Sequence, residues 1–282
     1  MIHGMTGFGS AEKGGFRVEV RSLNHRFMDV TLRMPPVLGK YEMKLREALG
    51  KKFDRGKFDV YVSAAGAGTL KLKPNVEVAK EIYNALKGLK DGVGAAGEVD
   101  MGMLLHWKDT FIEEEMSYDQ DVLLQAFEEA VAGLEAMRLK EGEALRAELL
   151  ERTAHIGNLN SEVVELAPAA MEAGRAKLFE KLRELFADKG VEDARLVQEA
   201  ANVVEKSDIS EETSRLTNHV EHMNEILNNG GTVGRKLDFL LQELNREANT
   251  IASKTDDFKI ANLVIDMKAE IEKCREQAQN VQ

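Results

Sequence analysis

Cysteine, proline and tryptophan are scarce in this chain: one Cys, four Pro and one Trp among 282 residues, with aromatics at 6%. A single thiol, Cys274, forms no internal disulfide, and without a second cysteine beside it a thiolate zinc site has no support. No histidine lies close to it in sequence, so burial rather than nucleophilic chemistry is expected of that thiol. No uncharged apolar run approaches the roughly 18 residues that span a bilayer. The opening MIHGMTGFGS also lacks the basic segment and apolar core of a secretory leader, so a cytoplasmic protein with no membrane partner is expected. Nucleophile-elbow, kinase, Walker and dinucleotide signatures are missing, which disfavours the familiar chemistries.

What is present is charge, unevenly spread. The chain carries −11 overall. Residues 1 to 73 hold 14 Lys and Arg against 7 Asp and Glu, whereas the remainder holds 24 against 42. An anionic ligand meeting the first part would explain the asymmetry, and so would a basic domain docking on its own acidic partner.

The pattern predicts an α+β fold: a small N-terminal α/β-sheet domain over 1–95 and a mainly α-helical C-terminal domain with long helices over 96–282. A first strand is expected across GMTGFGSAE and, after the Gly14-Gly15 turn, one long or bulged strand over 16–35. A helix over 37–52, a strand KFDVYVSAA and a short helix over 75–87 follow. Beyond residue 100 no good strand is visible. Helices are expected over 119–160, 169–188, 192–206, 208–228, 235–251 and 256–281, with interruptions at Gly157 and Pro168. On the last of these, Ile260, Val264, Met267, Ile271, Cys274, Ala278 and Val281 form a heptad seam, suited to an oligomer or to packing within the monomer.

Three polar stripes lie on these helices. In GRKLDFLLQELNREANTIASK, residues 234–254, the side chains of Leu237, Leu240, Leu241, Leu244, Ala248 and Ile251 gather as a core face. Gln242, Asn245 and Asn249 fall within about 40° of Asp238, and Arg235 and Arg246 lie roughly 60 to 80° round. Amides beside guanidinium groups suit a polynucleotide backbone and base edges, or a buried polar network between helices. Over 208–227, Asp208 and Glu211 form a D-x-x-E capping pattern. Glu211, Arg215, His219 and His222 share one face, fit to hold a divalent metal, to work as base and acid on a ribose 2′-hydroxyl, or to be an ordinary ion pair with two surface histidines. Lys268, Glu272, Arg275 and Gln279 form the third line. In the 16–35 segment, Arg17, Arg21, His25 and Arg33 share one strand face and Ser22, Asn24 and Arg26 the other, so cations are expected on both. Few aromatics interleave with basic residues, so base stacking is not indicated.

Long ordered strings within this sequence resemble the bacterial YicC/YloC family. They are M-T-G-F-G from Met5, R-S-x-N-x-R from Arg21 and R-G-K from Arg55. They continue with D-x-x-E-E-x-x-R-L-x-x-H from Asp208, G-R-x-L-D-F-x-x-Q-E-x-N-R-E-x-N-T-x-x-S-K from Gly234 and R-E-Q-x-Q-N from Arg275. Residues 64 to 200 match only in helical character and in Glu141-Gly142. The resemblance implies a metal-dependent endoribonuclease acting on single-stranded RNA. It also implies assembly as a homo-oligomer, a ring-like hexamer, with links to small-RNA turnover, stress survival and the RNA-degradation machinery. On that footing Glu211, His219 and Asp238 are expected to be catalytic, and His222, outside the motif, is set aside. Arg21, Asn24, Arg26, Arg215, Arg235, Gln242, Asn245, Arg246 and Asn249 are expected to bind RNA. Glu211, Glu212, Asp238 or Glu243 would hold Mn²⁺ or Mg²⁺, since oxygen ligands favour these ions over zinc. The competing readings are an RNA-binding adaptor that presents small RNAs to another nuclease, and a structural oligomer whose stripes are subunit contacts.

Overall fold

The structure, a computed structural model, describes residues 1–186, 207–231 and 233–281. The helix expected over 192–206 and the last two residues of that over 169–188 lie outside the described residues. The chain is α+β and divides into two compact units, Phe8–Leu134 and the combination of Met1–Gly7 with Glu135–Gln282. The compositional boundary at 95/96 falls inside the first of these, just after Gly94.

In the sheet unit the strands β1 (Gly7–Lys13), β2 (Phe16–Leu23), β3 (Met28–Arg33) and β4 (Gly56–Ser63) lie in the order β1-β2-β4-β3. β2 is antiparallel to β4 and β3 is parallel to it. Alternation in β2 buries Phe16, Val18, Val20 and Ser22 and leaves Arg17, Glu19, Arg21 and Leu23 on the outer face. Phe58, Val60 and Val62 of β4 extend the buried face. A 3₁₀ turn, Pro36–Tyr41, leads into α1 (Glu42–Lys52), whose Leu45 and Leu49 pack on it. So do Leu123, Phe127 and Leu134 from the start of α5 (Gln120–Phe186). Each such side chain contributes about 1.5–3 kcal/mol by leaving water. A Cβ on Gly9 would stand 2.0 Å from the Ala130 carbonyl oxygen, so β1 meets α5 at a distance only glycine permits.

The single strand expected over 16–35 is two strands. The chain leaves the sheet at Asn24, turns through Phe27 and returns as β3 on the far side of β4. Period-2 alternation runs through the break and so conceals it. The expectation of cations on both faces is corrected with it: the buried face of β2 carries none, Arg17 and Arg21 sit outside, and His25 and Arg26 belong to the loop. Gly56 closes that loop, its N–H donating to the Phe27 carbonyl at 3.2 Å with φ at +125°, a conformation that favours glycine.

A second, two-stranded ribbon pairs β5 (Gly68–Pro74) with β6 (Ile112–Tyr118). β6 corrects the expectation of no strand after residue 100. Glu113, Glu114 and Glu115 disfavour a strand on propensity alone, yet Lys73 stands opposite Glu113 and pairs with Glu115 across the ladder. Three helices lie between β5 and β6: α2 (Val76–Val93), longer than the short helix expected over 75–87, and the short α3 (Met101–Leu105) and α4 (Lys108–Phe111).

The helical unit takes the rest of α5 and adds α6 (Ser210–Asn229), α7 (Gly234–Lys254) and α8 (Phe258–Ala278). Interruptions expected at Gly157 and Pro168 do not occur, because α5 continues through both. Proline removes one backbone hydrogen bond, and Leu149, Ile156, Leu159 and Val163 anchor the preceding turns in the core. The whole α7 core face is buried as expected, and the α8 seam from Ile260 to Ala278 is consumed in the same core. The start of the chain joins it: Ile2 is buried there, Gly4 bridges to Val281, and Glu141 accepts from the Thr6 hydroxyl and, at 3.0 Å, from its N–H.

Candidate functional site

Ile209, not Asp208 as expected, holds the cap position of α6 and caps it with no side chain; one residue earlier the Asp208 carboxylate accepts the Ser210 N–H at 2.9 Å, which holds that carboxyl below its ordinary range. Glu211 does not complete the box; it pairs with Arg215 one turn on. His219 comes one further turn along, half-buried, while His222 is exposed. On the neighbouring helix, Glu243 and Glu247 are also one turn apart.

Ligand atoms of His219, Glu243 and Glu247 all lie within 4.8 Å of one another. Glu247 is only 3% exposed. A carboxylate so placed requires compensation, and the Arg215 guanidinium stands 3.7 Å from it. Arg246 stands 3.7 Å from Glu243. The cluster therefore has a buried oxygen donor, a partly exposed oxygen donor and an imidazole, flanked by two guanidinium groups that face outward.

The expected ligand carboxylates do not all gather here. Only Glu243 joins the cluster. Glu211 is occupied by Arg215. Glu212 turns inward, 5% exposed, and takes the Lys254 ammonium at 2.8 Å, an ammonium that also donates to the Asp208 carbonyl at 2.9 Å. Asp238 accepts from the Gln242 amide at 2.9 Å and faces Arg275 at 4.0 Å. Glu247 was missed by sequence reasoning, although a Glu about 20° from Leu240 on the helical wheel is a charge on the core face and needs a partner.

The amide stripe of α7 is not buried between helices. Asp238, Gln242, Arg246 and Asn249 are exposed and Asn245 is half-buried. Gln242, Asn245, Arg246, Asn249, Thr250 and Ser253 line a shallow depression of about 450 Å³. Every one of these six side chains donates or accepts hydrogen bonds, and all but Arg246 do both while uncharged. Arg235 is exposed at the start of the helix, with Phe239 outward beside the stripe.

In the sheet unit, Arg21, Asn24 and Arg26 are exposed. The guanidinium of Arg21 lies over the Phe8 ring, 5.5 Å from its centre, and that of Arg26 over Phe27 at 5.3 Å. The fold thus brings Arg21 to a ring 13 positions away in sequence, whereas Arg26 covers the ring that directly follows it. Among the described residues no helix is long and apolar enough to cross a membrane.

Comparison with known proteins agrees with this architecture. A family model described as "Endoribonuclease YicC-like, N-terminal region" matches residues 2–147, and one described as "Endoribonuclease YicC-like, C-terminal" matches 163–282. A Clostridioides difficile (strain 630) protein named "Probable endoribonuclease YicC" is 33% identical over 293 residues, covering 100% of both chains. A protein of the same name from Haemophilus influenzae is 33% identical over 291 residues, again covering 100% of both. This chain belongs to the YicC-like endoribonuclease family.

Proposed function

We propose that the chain is an endoribonuclease that cuts single-stranded RNA internally, with a divalent cation held by His219, Glu243 and Glu247. The observation that carries this reading is the convergence of those three donors beside the exposed stripe of amides and arginines on α7, the helix that bears Glu243 and Glu247.

The donor set fits such an ion. Two carboxylates with oxygens this close repel one another, and a cation between them relieves the repulsion. Two oxygens and one imidazole nitrogen suit Mn²⁺ better than Mg²⁺, which prefers oxygen alone. When bound, the ion would neutralise a phosphate oxygen and lower the pKa of a coordinated water or hydroxyl. The chain's own residues do the remainder. Arg215 and Arg246, each tethered to a carboxylate of the cluster, supply positive charge for the phosphate and for the charge that grows in the transition state. Glu211 orients Arg215, and Asp238 orients Gln242 and Arg275. Gln242, Asn245 and Asn249 hold ribose hydroxyls and base edges along the stripe, so Glu211 and Asp238 act here as positioning residues.

An RNA-binding adaptor remains the second reading, favoured by the two guanidinium contacts, which already compensate the acidic cluster. Cleavage of an end-labelled single-stranded RNA by wild type and Glu247→Gln, with Mn²⁺, Mg²⁺ or EDTA, separates the two. The nuclease reading expects internal cuts that require metal and fall at least about a hundredfold in the variant, with RNA still bound. RNA held but uncut by wild type under every condition would establish the adaptor.

A further inference from the structure

We propose that one end of the outer sheet face is a stacking platform for unpaired nucleotides, with Phe27 and Phe8 as the rings. The proposal rests on RNA being the ligand and adds a second contact site for it, carried by the sheet unit alone.

Exposure is the first observation. Phe27 is 65% exposed, Phe8 40% and Leu23 51%. β2 ends at Leu23 and the loop through Phe27 starts there, so these groups share one end of the sheet. Large apolar side chains clustered at a surface mark a binding site more often than chance would place them there.

The second observation is what covers the rings. Arg21 lies over Phe8 and Arg26 over Phe27, and the His25 ring meets Phe27 edge-on, 6.4 Å between centres. His25 is fixed by its Nδ1, which lies 2.9 Å from the Phe27 carbonyl oxygen. A ring bordered by a guanidinium is the arrangement on which a base stacks while its phosphate meets the cation. Four-stranded sheets with exposed aromatics read single-stranded RNA in this way.

Charge is the third. Arg17 and Arg21 are partly neutralised by Glu19, at 3.0 and 3.7 Å. Among the described residues no carboxylate pairs with Arg26 or Lys57 within 4.0 Å. Asp59 and Asp29 stand opposite Arg21 and Lys57 in the strand register. Local charge is therefore modest. Two cations are available for phosphate, and stacking supplies most of the grip.

The test uses the full chain in EDTA with a short single-stranded oligoadenylate bearing one 2-aminopurine, whose fluorescence falls when it stacks on a ring. Phe27→Ala and Phe27→Leu should weaken binding about tenfold and lose the quench, whereas Phe27→Tyr should keep both. Because the ring is exposed, thermal unfolding of these variants should match wild type. Arg26→Ala should also lower the slope of log affinity against log salt by about one, and Phe27→Leu should not. Equal binding by wild type and Phe27→Leu, with metal-dependent cutting intact, would overturn the platform and leave the nuclease standing. Phe27-dependent binding with no cutting in any metal would do the reverse. No RNA binding by wild type would overturn both, as would Phe27-dependent capture of anionic phosphatidylserine vesicles in place of RNA.

Discussion

The two cation-bearing surfaces differ in what their guanidinium groups mostly stand against. On α6, α7 and α8 the guanidinium groups stand against carboxylates: Arg215 against Glu211 and Glu247, Arg246 against Glu243, Arg275 against Asp238. On the sheet and its adjoining loop they stand over rings, Arg21 on Phe8, Arg26 on Phe27 and Arg33 on Tyr61 at 5.2 Å, with Arg21 also 3.7 Å from Glu19. A carboxylate beside an arginine is an electrostatic device, sensitive to metal and to salt. A ring beside an arginine is a dispersive one, sensitive to shape. On the proposed readings, the first surface serves chemistry on phosphate and the second grip on bases.

The sharpest way to break this contrast is to exchange the expected phenotypes. Leu244→Ala, at a fully buried position of α7, should cost the helical unit about 2–5 kcal/mol, measured by denaturant unfolding. Cutting should fall with it, whereas the 2-aminopurine quench at the sheet should persist while that unit stays folded. Loss of the quench alongside would show that the two surfaces are not energetically separate. Next in size, Glu247→Gln should reduce the cutting rate about a hundredfold or more with RNA affinity within about twofold of wild type. A variant that lost affinity to the same extent would make this carboxylate a structural partner of Arg215 only.

Smaller effects refine the helical side. Asp208→Ala removes the hydrogen bond that this carboxylate, just before α6, accepts from the Ser210 N–H and should cost roughly 0.5–1.5 kcal/mol, seen as a lowered melting temperature. Its carboxyl is held below the ordinary 3.8, chiefly by the Ser210 N–H. The stabilisation is therefore present above that value and lost as pH falls through the lower folded-state value. Wild type and Asp208→Ala should converge in stability in acid and diverge at neutral pH; a constant gap would remove the carboxylate's charge from the account. Smallest of all, Cys274→Ala should leave cutting unchanged. Burial pushes this thiol up to about 12, so native protein at pH 8 should react with a thiol reagent only through unfolding.

How far all this is legible in sequence differs between the surfaces. Leu237 to Ile251 announce the buried side of α7 by helical period, and the stripe opposite them follows without further information. Glu247 does not announce itself as a ligand, because its partners His219 and Arg215 reside on another helix and only packing brings them near. The sheet hides more. Phe8 and Phe27 are 19 positions apart, and the second follows a string that reads as one unbroken strand. Their shared location depends on β4 inserting between β2 and β3, a long-range choice that alternation does not encode. β6 is hidden for a related reason, since its glutamates become favourable in a strand only once Lys71 and Lys73 stand across from them.

The bridge between Gly4 and Val281 has a consequence for biosynthesis. Ile2 belongs to the core that α6, α7 and α8 complete, yet it leaves the ribosome before any of them exists. Translation must deliver nearly the entire polypeptide before that core closes. Meanwhile the residues of the sheet unit, which are contiguous, can fold as they emerge. The nascent chain thus has a defined order of assembly: the surface proposed to hold bases matures during synthesis, and the one proposed to cut them is finished only near its end.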